Sequence, residues 1–121
     1  MGLAVEIIDA DSAIAELGGD HLAYIDICRL FLQQAAGALD ALESASSRQA
    51  SGDVLALLHD CANASGAIGA TRAMECLREL ELALCRNPMA DHLDEVVAVA
   101  QECLRNVATS LADWLVKQES T

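Results

Sequence analysis

The chain has 121 residues, a length that fits one domain with one real core. Apolar residues make up 54% of it but aromatics only 2%, and the single proline is Pro88; an apolar mass of Ala, Leu, Val and Ile suits packed helices and suits strands poorly. Seven Lys and Arg stand against 19 Asp and Glu, a formal charge of −12, which repels phosphate backbones and anionic membrane surfaces and excludes nucleic acid as a main partner.

In chain order, a short first helix is expected from about Asp11 to Leu17, capped by Asp9 or Asp11 and stopped by Gly18. Asp20 can cap a second helix whose apolar positions are Leu22, Ile25, Cys28, Leu32, Ala35, Leu39 and Leu42, the spacing of a bundle seam. The polar stretch SASSRQASG then reads as a loop. Asp53 can cap a third helix with core positions Val54, Leu57, Leu58, Cys61, Ser65 and Ile68. A fourth helix carries Ala73, Cys76, Leu77, Leu80 and Leu84. The fifth, from about Met89 to Val116, carries Leu93, Val96, Val97, Ala100, Leu104, Val107, Leu111 and Leu115. Short loops between long amphipathic helices mean antiparallel neighbours. The expected fold is all-α, an antiparallel up-down four-helix bundle with a short N-terminal capping helix.

The five cysteines, Cys28, Cys61, Cys76, Cys85 and Cys103, are odd in number and lack paired spacing, so they read as small core residues in a reducing compartment rather than a disulfide framework. No Cys-x-x-Cys pair exists, and no metal site is expected. No apolar run reaches the roughly 18 residues of a membrane span. The N-terminal residues lack the basic-then-apolar layout of a signal peptide. Met1-Gly2 opens like a myristoylation motif, but Glu6 stands where that motif needs Ser or Thr. Together these readings place the chain in the cytoplasm, without membrane insertion.

His59 is the candidate for chemistry. On a helical wheel of roughly 100° per residue it falls roughly 160° from the centre of the third helix's apolar cluster, facing away from the core. Its neighbours one turn away are Leu55, Ala56, Ala62 and Asn63, with Gly66 about two turns on. Apart from Leu55 these are small, so the ring is open to a partner. Folding the hairpin about the polar loop brings His59 near Gln34, Gly37 and Ala38 of the second helix. A mid-helix glycine costs about 1 kcal/mol relative to Ala; either a surface for close approach by a partner or tight helix–helix packing explains Gly37. Leu55, Ala56, Gln34, Gly37 and Ala38 form the expected docking face, with Ala62, Asn63 and Gly66 around the ring. His21 and His92, in the opening turns of their helices near Asp20 and Asp91, read as ordinary solvated residues.

The segment from Leu57 to Glu81, LLHDCANASGAIGATRAMECLRELE, resembles the signature of histidine-containing phosphotransfer (HPt) domains. That signature runs roughly His-x-Leu-Lys-Gly-Ser-x-x-x-x-Gly-Ala, followed by a helix with a Cys and a Leu-Glu. His59 takes the phosphorylated position, Ile68, Gly69 and Ala70 match the end of the motif, and Cys76, Leu80 and Glu81 fit the helix after it. Upstream, Gly18, Gly19, Asp20, Leu22 and Phe31 resemble the family's opening, so the likeness covers nearly the whole chain and residues 1–121 read as a single HPt-like domain. Two positions depart from it. The family's Lys, which sits beside the phosphoryl group and offsets its charge, is Ala62 here, and the Gly after it is Asn63. Asn63 lies next to His59 on the wheel and could donate a hydrogen bond to a phosphoryl oxygen.

The resemblance implies a phosphoryl carrier in a two-component phosphorelay. His59 would accept the group from one receiver-domain aspartate and pass it to another, the receiver and its bound Mg²⁺ supplying the catalysis. Imidazole suits the role, being largely unprotonated near neutral pH with an ordinary pKa of about 6.5. The chain shows no Gly-rich phosphate loop, no carboxylate cluster for Mg²⁺ and no second catalytic group near His59 in sequence, so no enzyme activity and no cofactor of its own are expected. The implied partners are response-regulator receiver domains and a hybrid sensor histidine kinase, with the chain itself a monomer. The alternative is a degenerate HPt fold that docks a signalling partner without transfer, which the missing Lys favours; a generic helical interaction module is a further one.

Overall fold

The computed structural model describes residues 7–48, 51–86 and 90–119, without the side chains of 45–48, 51–53, 90–93 and 119. Five helices account for nearly all of it: α1 (Ala10–Glu16), α2 (His21–Arg48), α3 (Ser51–Ala67), α4 (Thr71–Arg86) and α5 (Ala90–Glu119). Among the described residues there is no strand.

Of the two candidate caps for α1, Asp9 is the one used. Its carboxylate accepts from the Ser12 backbone N–H at 3.1 Å and from the Ser12 hydroxyl at 2.8 Å. Both bonds hold the Asp9 carboxyl below its ordinary pKa, the hydroxyl more strongly. Gly18, at φ 70°, turns the chain in the left-handed region that ends the helix. Asp20 caps α2 as expected, accepting from Ala23 N–H at 3.0 Å. The polar stretch between α2 and α3 is mostly helical: α2 runs on through Arg48 and α3 starts at Ser51, leaving Gln49 and Ala50 outside the described residues. Asp53 therefore lies inside the first turn of α3 rather than at its cap. Met89, His92 and Leu93, read as the start of the fifth helix, fall outside the described residues or side chains.

The buried stripe of α2 is Tyr24, Cys28, Phe31, Ala35, Ala38 and Leu42, alternating steps of four and three. The seam read from the aliphatic residues was displaced to one side of it. Leu22 is 75% exposed, and Ile25, Leu32 and Leu39 are only half-buried. The reason is size: Tyr24 and Phe31 carry more apolar area than any aliphatic neighbour and take the centre of the contact. The buried residues of α3, α4 and α5 follow the expected positions closely, with Leu58, Ile68, Leu77, Leu84, Leu104 and Leu111 fully enclosed. Leu57, Cys76 and Leu80 are half-buried.

The helices pair as α3 with α4, α2 with α5, α4 with α5 and α2 with α3, and α1 lies against α2. Two ties fix the ends. At the start of α2 and the end of α5, the His21 ring stacks on Trp114 with centroids 6.0 Å apart, and His21 Nε2 lies 3.4 Å from Gln118 Oε1. His21 is thus exposed but engaged. Tyr24, beneath it, meets Trp114 edge-on at 5.2 Å and donates its hydroxyl to the Ile68 carbonyl at 2.6 Å. The α3–α4 turn is strapped to α1 by Asp9 N–H donating to the Gly69 carbonyl at 2.9 Å. Gly69, at φ +88°, is required there twice over, since a Cβ would also collide with the Asp9 carbonyl oxygen.

Two buried hydroxyls have opposite consequences. Tyr24→Phe removes a buried donor from the Ile68 carbonyl and should lower stability by about 1–2 kcal/mol. Ser65 is fully buried with an Oγ that has no hydrogen-bond partner, so Ser65→Ala should be neutral or stabilising by up to about 1 kcal/mol. Urea unfolding of the two variants checks both signs.

Candidate functional site

His59 stands in the middle of α3, and its side chain is 61% exposed, the orientation the wheel predicts. The ring is held from two sides. Its Nδ1 lies 3.4 Å from Glu81 Oε2 on α4, and its Nε2 lies 3.4 Å from the Asn63 side-chain nitrogen one turn along α3. One tautomer satisfies both contacts: with the proton on Nδ1 the ring donates to the Glu81 carboxylate, and its Nε2 lone pair accepts from the Asn63 amide. A carboxylate at Nδ1 both orients the ring and stabilises positive charge on it, leaving Nε2 as the nucleophilic nitrogen.

Glu81 is the residue that sequence spacing passed over as a site residue, and with it the second group near the ring. It is 22 positions downstream of His59, so no local periodicity connects them. The register of the α3–α4 hairpin does. His59 meets Glu81 at mid-helix, and Gly66 meets Met74 near the turn, where a Cβ on Gly66 would fall 2.7 Å from the Met74 sulfur. The family-like Leu80-Glu81 pair was the available signal.

The residues expected around His59 divide into two groups. Asn63, Ala56, Gln34 and Gly37 are exposed, and Leu55 and Gly66 are half-buried. Ala62 and Ala38 are not on the surface: Ala62 is 1% exposed and Ala38 6%. The wheel assigned α3 one buried side, but α3 is gripped on two, by α2 and by α4. Ala62 lies one turn before Gly66, on the side closed by Met74. Ala38 is enclosed because the stripe of α2 is centred on Tyr24 and Phe31. Gly37, by contrast, has open space where a Cβ would stand, so packing within this chain does not explain it.

Between α2 and α3 a cavity of about 440 Å³ opens beside the site, with Gln34, Ala38, Leu57, Asp60, Cys61 and Asn63 among its lining residues. Asn63 borders both this groove and the histidine. Burial pushes the Cys61 thiol up to about 11, the nearby Asp60 adding to it, so this cysteine remains a protonated, core-facing thiol. Among the described residues no three His, Cys, Asp or Glu side chains converge to hold a metal ion, and no helix is long and apolar enough to cross a membrane.

A protein-family model described as Hpt domain matches residues 26–114 of the chain. No curated protein and no solved structure matches it.

The two small residues separate packing from surface. Gly37→Ala should raise stability by about 0.5–1 kcal/mol, since the helix gains propensity and the methyl meets nothing. Ala62→Lys should lower it by about 1–3 kcal/mol by overpacking an enclosed position, while Ala56→Lys on the exposed side leaves it within about 0.5 kcal/mol. Thermal and urea midpoints of the three variants are the check.

Proposed function

We propose that the chain, which belongs to the Hpt domain family, is a histidine phosphotransfer protein of a two-component phosphorelay that carries the phosphoryl group on His59 Nε2. Hpt domains are phosphocarrier modules that work with receiver domains. The observation that carries the reading for this chain is an exposed imidazole whose Nδ1 meets a carboxylate and whose Nε2 meets a side-chain amide one turn away.

In the transfer, the Nε2 lone pair attacks the phosphorus of a receiver aspartyl phosphate. The Nε2–P bond forms, the bond from phosphorus to the aspartate oxygen breaks, and that oxygen leaves as carboxylate with the bonding pair. Positive charge develops on the ring as this happens, and the Nδ1–H···Glu81 contact offsets it without moving the proton away. The Asn63 amide, freed from Nε2 once that nitrogen is bonded, is placed to donate to a phosphoryl oxygen. The reverse displacement hands the group to a second receiver. Mg²⁺ belongs to the receiver in this scheme; the receiver supplies most of the catalysis, and the chain brings no cofactor of its own.

The phosphoryl group brings about −1.5 to −2 charges into a chain that already carries −12, beside Glu81. The cation it needs is not at position 62, which is an enclosed alanine. The hairpin register, 59 against 81 and 66 against 74, sets Arg78 of α4 opposite Ala62, on the face that also carries Met74 and Glu81, and Arg78 is exposed. In this reading Arg78 takes the charge-offsetting role from across the hairpin.

The scaffold of the reading is one domain, an antiparallel up-down bundle of α2 to α5 with α1 as its cap; the contact of His21 with Gln118, and the pairing of His59 with Glu81 and Gly66 with Met74, support the antiparallel order. The receiver docks over Leu55, Ala56, Gln34 and Gly37, with Ala38 on the floor of the adjoining groove and Asn63 and Gly66 at the edge of the site. The upstream donor is a hybrid sensor histidine kinase, and the chain acts as a cytoplasmic monomer.

Two outcomes test the chemistry. His59→Gln should abolish acceptance of labelled phosphate from a charged cognate receiver, because glutamine keeps polarity and size but offers no ring nitrogen. Acceptance by this variant removes the site; no acceptance by the wild-type chain from any receiver that binds it leaves docking without transfer. Arg78→Ala should shorten the phosphohistidine lifetime or slow transfer by about two- to fivefold, the size of an exposed charge interaction of about 0.5–1 kcal/mol, with Arg78→Lys retaining most of the wild-type value. An unchanged rate and lifetime in Arg78→Ala removes Arg78 from the site.

A further inference from the structure

Two of the five thiols are paired in space. Cys76 on α4 and Cys103 on α5 place their sulfurs 3.2 Å apart, both part-buried, with the Cys103 S–H donating to the Cys76 sulfur. Both are free thiols; of the other three, Cys28 and Cys61 are buried and Cys85 is exposed near the end of α4. One member of the pair borders a surface cavity. Cys103 lines a surface cavity of about 230 Å³ together with Ile7, Arg72, Ala73, Asn106 and Val107. Arg72, which also lines this cavity, lies one turn before Cys76 on α4.

We propose that Cys76 and Cys103 are a reversible redox pair, which a small hydroperoxide entering this cavity converts to an intramolecular disulfide tying α4 to α5. With hydrogen peroxide, Cys76, its proton given up to solvent, attacks one peroxide oxygen; the O–O bond breaks, the departing hydroxide takes up a proton as water, and Cys76 is left as the sulfenic acid. The Cys103 sulfur then attacks the Cys76 sulfur, the S–O bond breaks, and the oxygen leaves with its own hydrogen and the Cys103 proton as a second water. Two thiols have lost two electrons and the peroxide has been reduced to water. A dithiol reductant reverses the change by exchange, itself becoming the disulfide.

The geometry assigns the two roles. Burial, then the contact with Cys76 and the charge of Glu102, push the Cys103 thiol up to about 12. In the proposal Cys103, the hydrogen donor of the pair, resolves the sulfenic acid, and Cys76, the acceptor, is the attacking sulfur. The sulfurs need approach by only about an ångström to reach bonding distance. The link would close a loop between two helices and remove freedom from the unfolded chain, raising the thermal midpoint by on the order of 10 °C.

Trypsin separates the relevant thiols: Cys76 falls in peptide 73–78, Cys85 in 79–86 and Cys103 in 87–105. The full chain, treated with dilute hydrogen peroxide and alkylated, should yield peptides 73–78 and 87–105 joined to each other in the monomer. Dithiothreitol should restore both to the alkylated form, and the thermal midpoint should rise on oxidation and fall back on reduction. Cys103→Ser should halt the reaction at a sulfenic acid on Cys76, trapped by dimedone, and Cys76→Ser should leave Cys103 alkylatable after the same treatment. The mapping of the wild-type chain decides the matter even where a serine variant is unstable. Peroxide-treated wild-type protein in which Cys76 and Cys103 both remain alkylatable, or in which Cys85 alone forms a link between two chains, overturns the proposal. So does Cys76 oxidised to sulfinic acid while Cys103 stays free.

Discussion

Small side chains let α3 and α4 run close together. Ala62 is enclosed against α4, Gly66 leaves room for the Met74 sulfur where any Cβ would intrude, and Gly69 turns the chain beneath the Asp9 carbonyl. This contact fixes the register of the hairpin, and the register brings together residues that are remote in sequence. Glu81 meets the His59 ring only because Met74 meets Gly66 two turns away. A larger residue at 66 would push α4 outward, and because the two helices are rigid rods, the shift would be felt at the carboxylate that holds the imidazole.

The orientation of His59 was legible in the sequence because a wheel needs only the direction of the apolar cluster, and α3 has a clear one. The caps of α1 and α2 were legible too, since Asp9 and Asp20 act within three residues of themselves. What the wheel could not register was a second buried side. Ala62 is three residues from His59 and shares its general direction, yet α4 covers it; alanine is apolar enough to be buried and small enough to be exposed, so its identity is silent on the matter. In α2 the same ambiguity moved the seam, because the many Ala and Leu residues offered several stripes and only the sizes of Tyr24 and Phe31 distinguished them. Glu81 was beyond periodicity altogether, being set by tertiary register.

The cost of that tight hairpin falls on electrostatics. A long basic side chain at 62 would overpack an enclosed position, and of the two groups that meet the ring one, Glu81, is an acidic residue of an acidic chain and the other, Asn63, is neutral. A carboxylate beside the ring favours the attack, since it offsets charge building on the imidazole, and opposes the product, since it faces the phosphoryl oxygens' own charge across the ring. The two demands are separated by geometry: Glu81 addresses Nδ1, while Nε2 is on the Asn63 side. In the proposed carrier, Arg78 on α4 rather than a basic residue on α3 would offset what remains without disturbing the packing.

The helix that carries Glu81 therefore has two faces with different tasks. Met74, Arg78 and Glu81 recur at steps of four and three and lie along the α3 side. Cys76 is five residues from Glu81, about 140° around the helix, and meets Cys103 of α5. Whatever fixes α4 against α5 on one face fixes the position from which Glu81 reaches His59 on the other, because a helix moves as a body and its two faces cannot shift independently. The half-buried thiol pair stands on the α5 side of that helix, and the carboxylate that meets the imidazole on the α3 side.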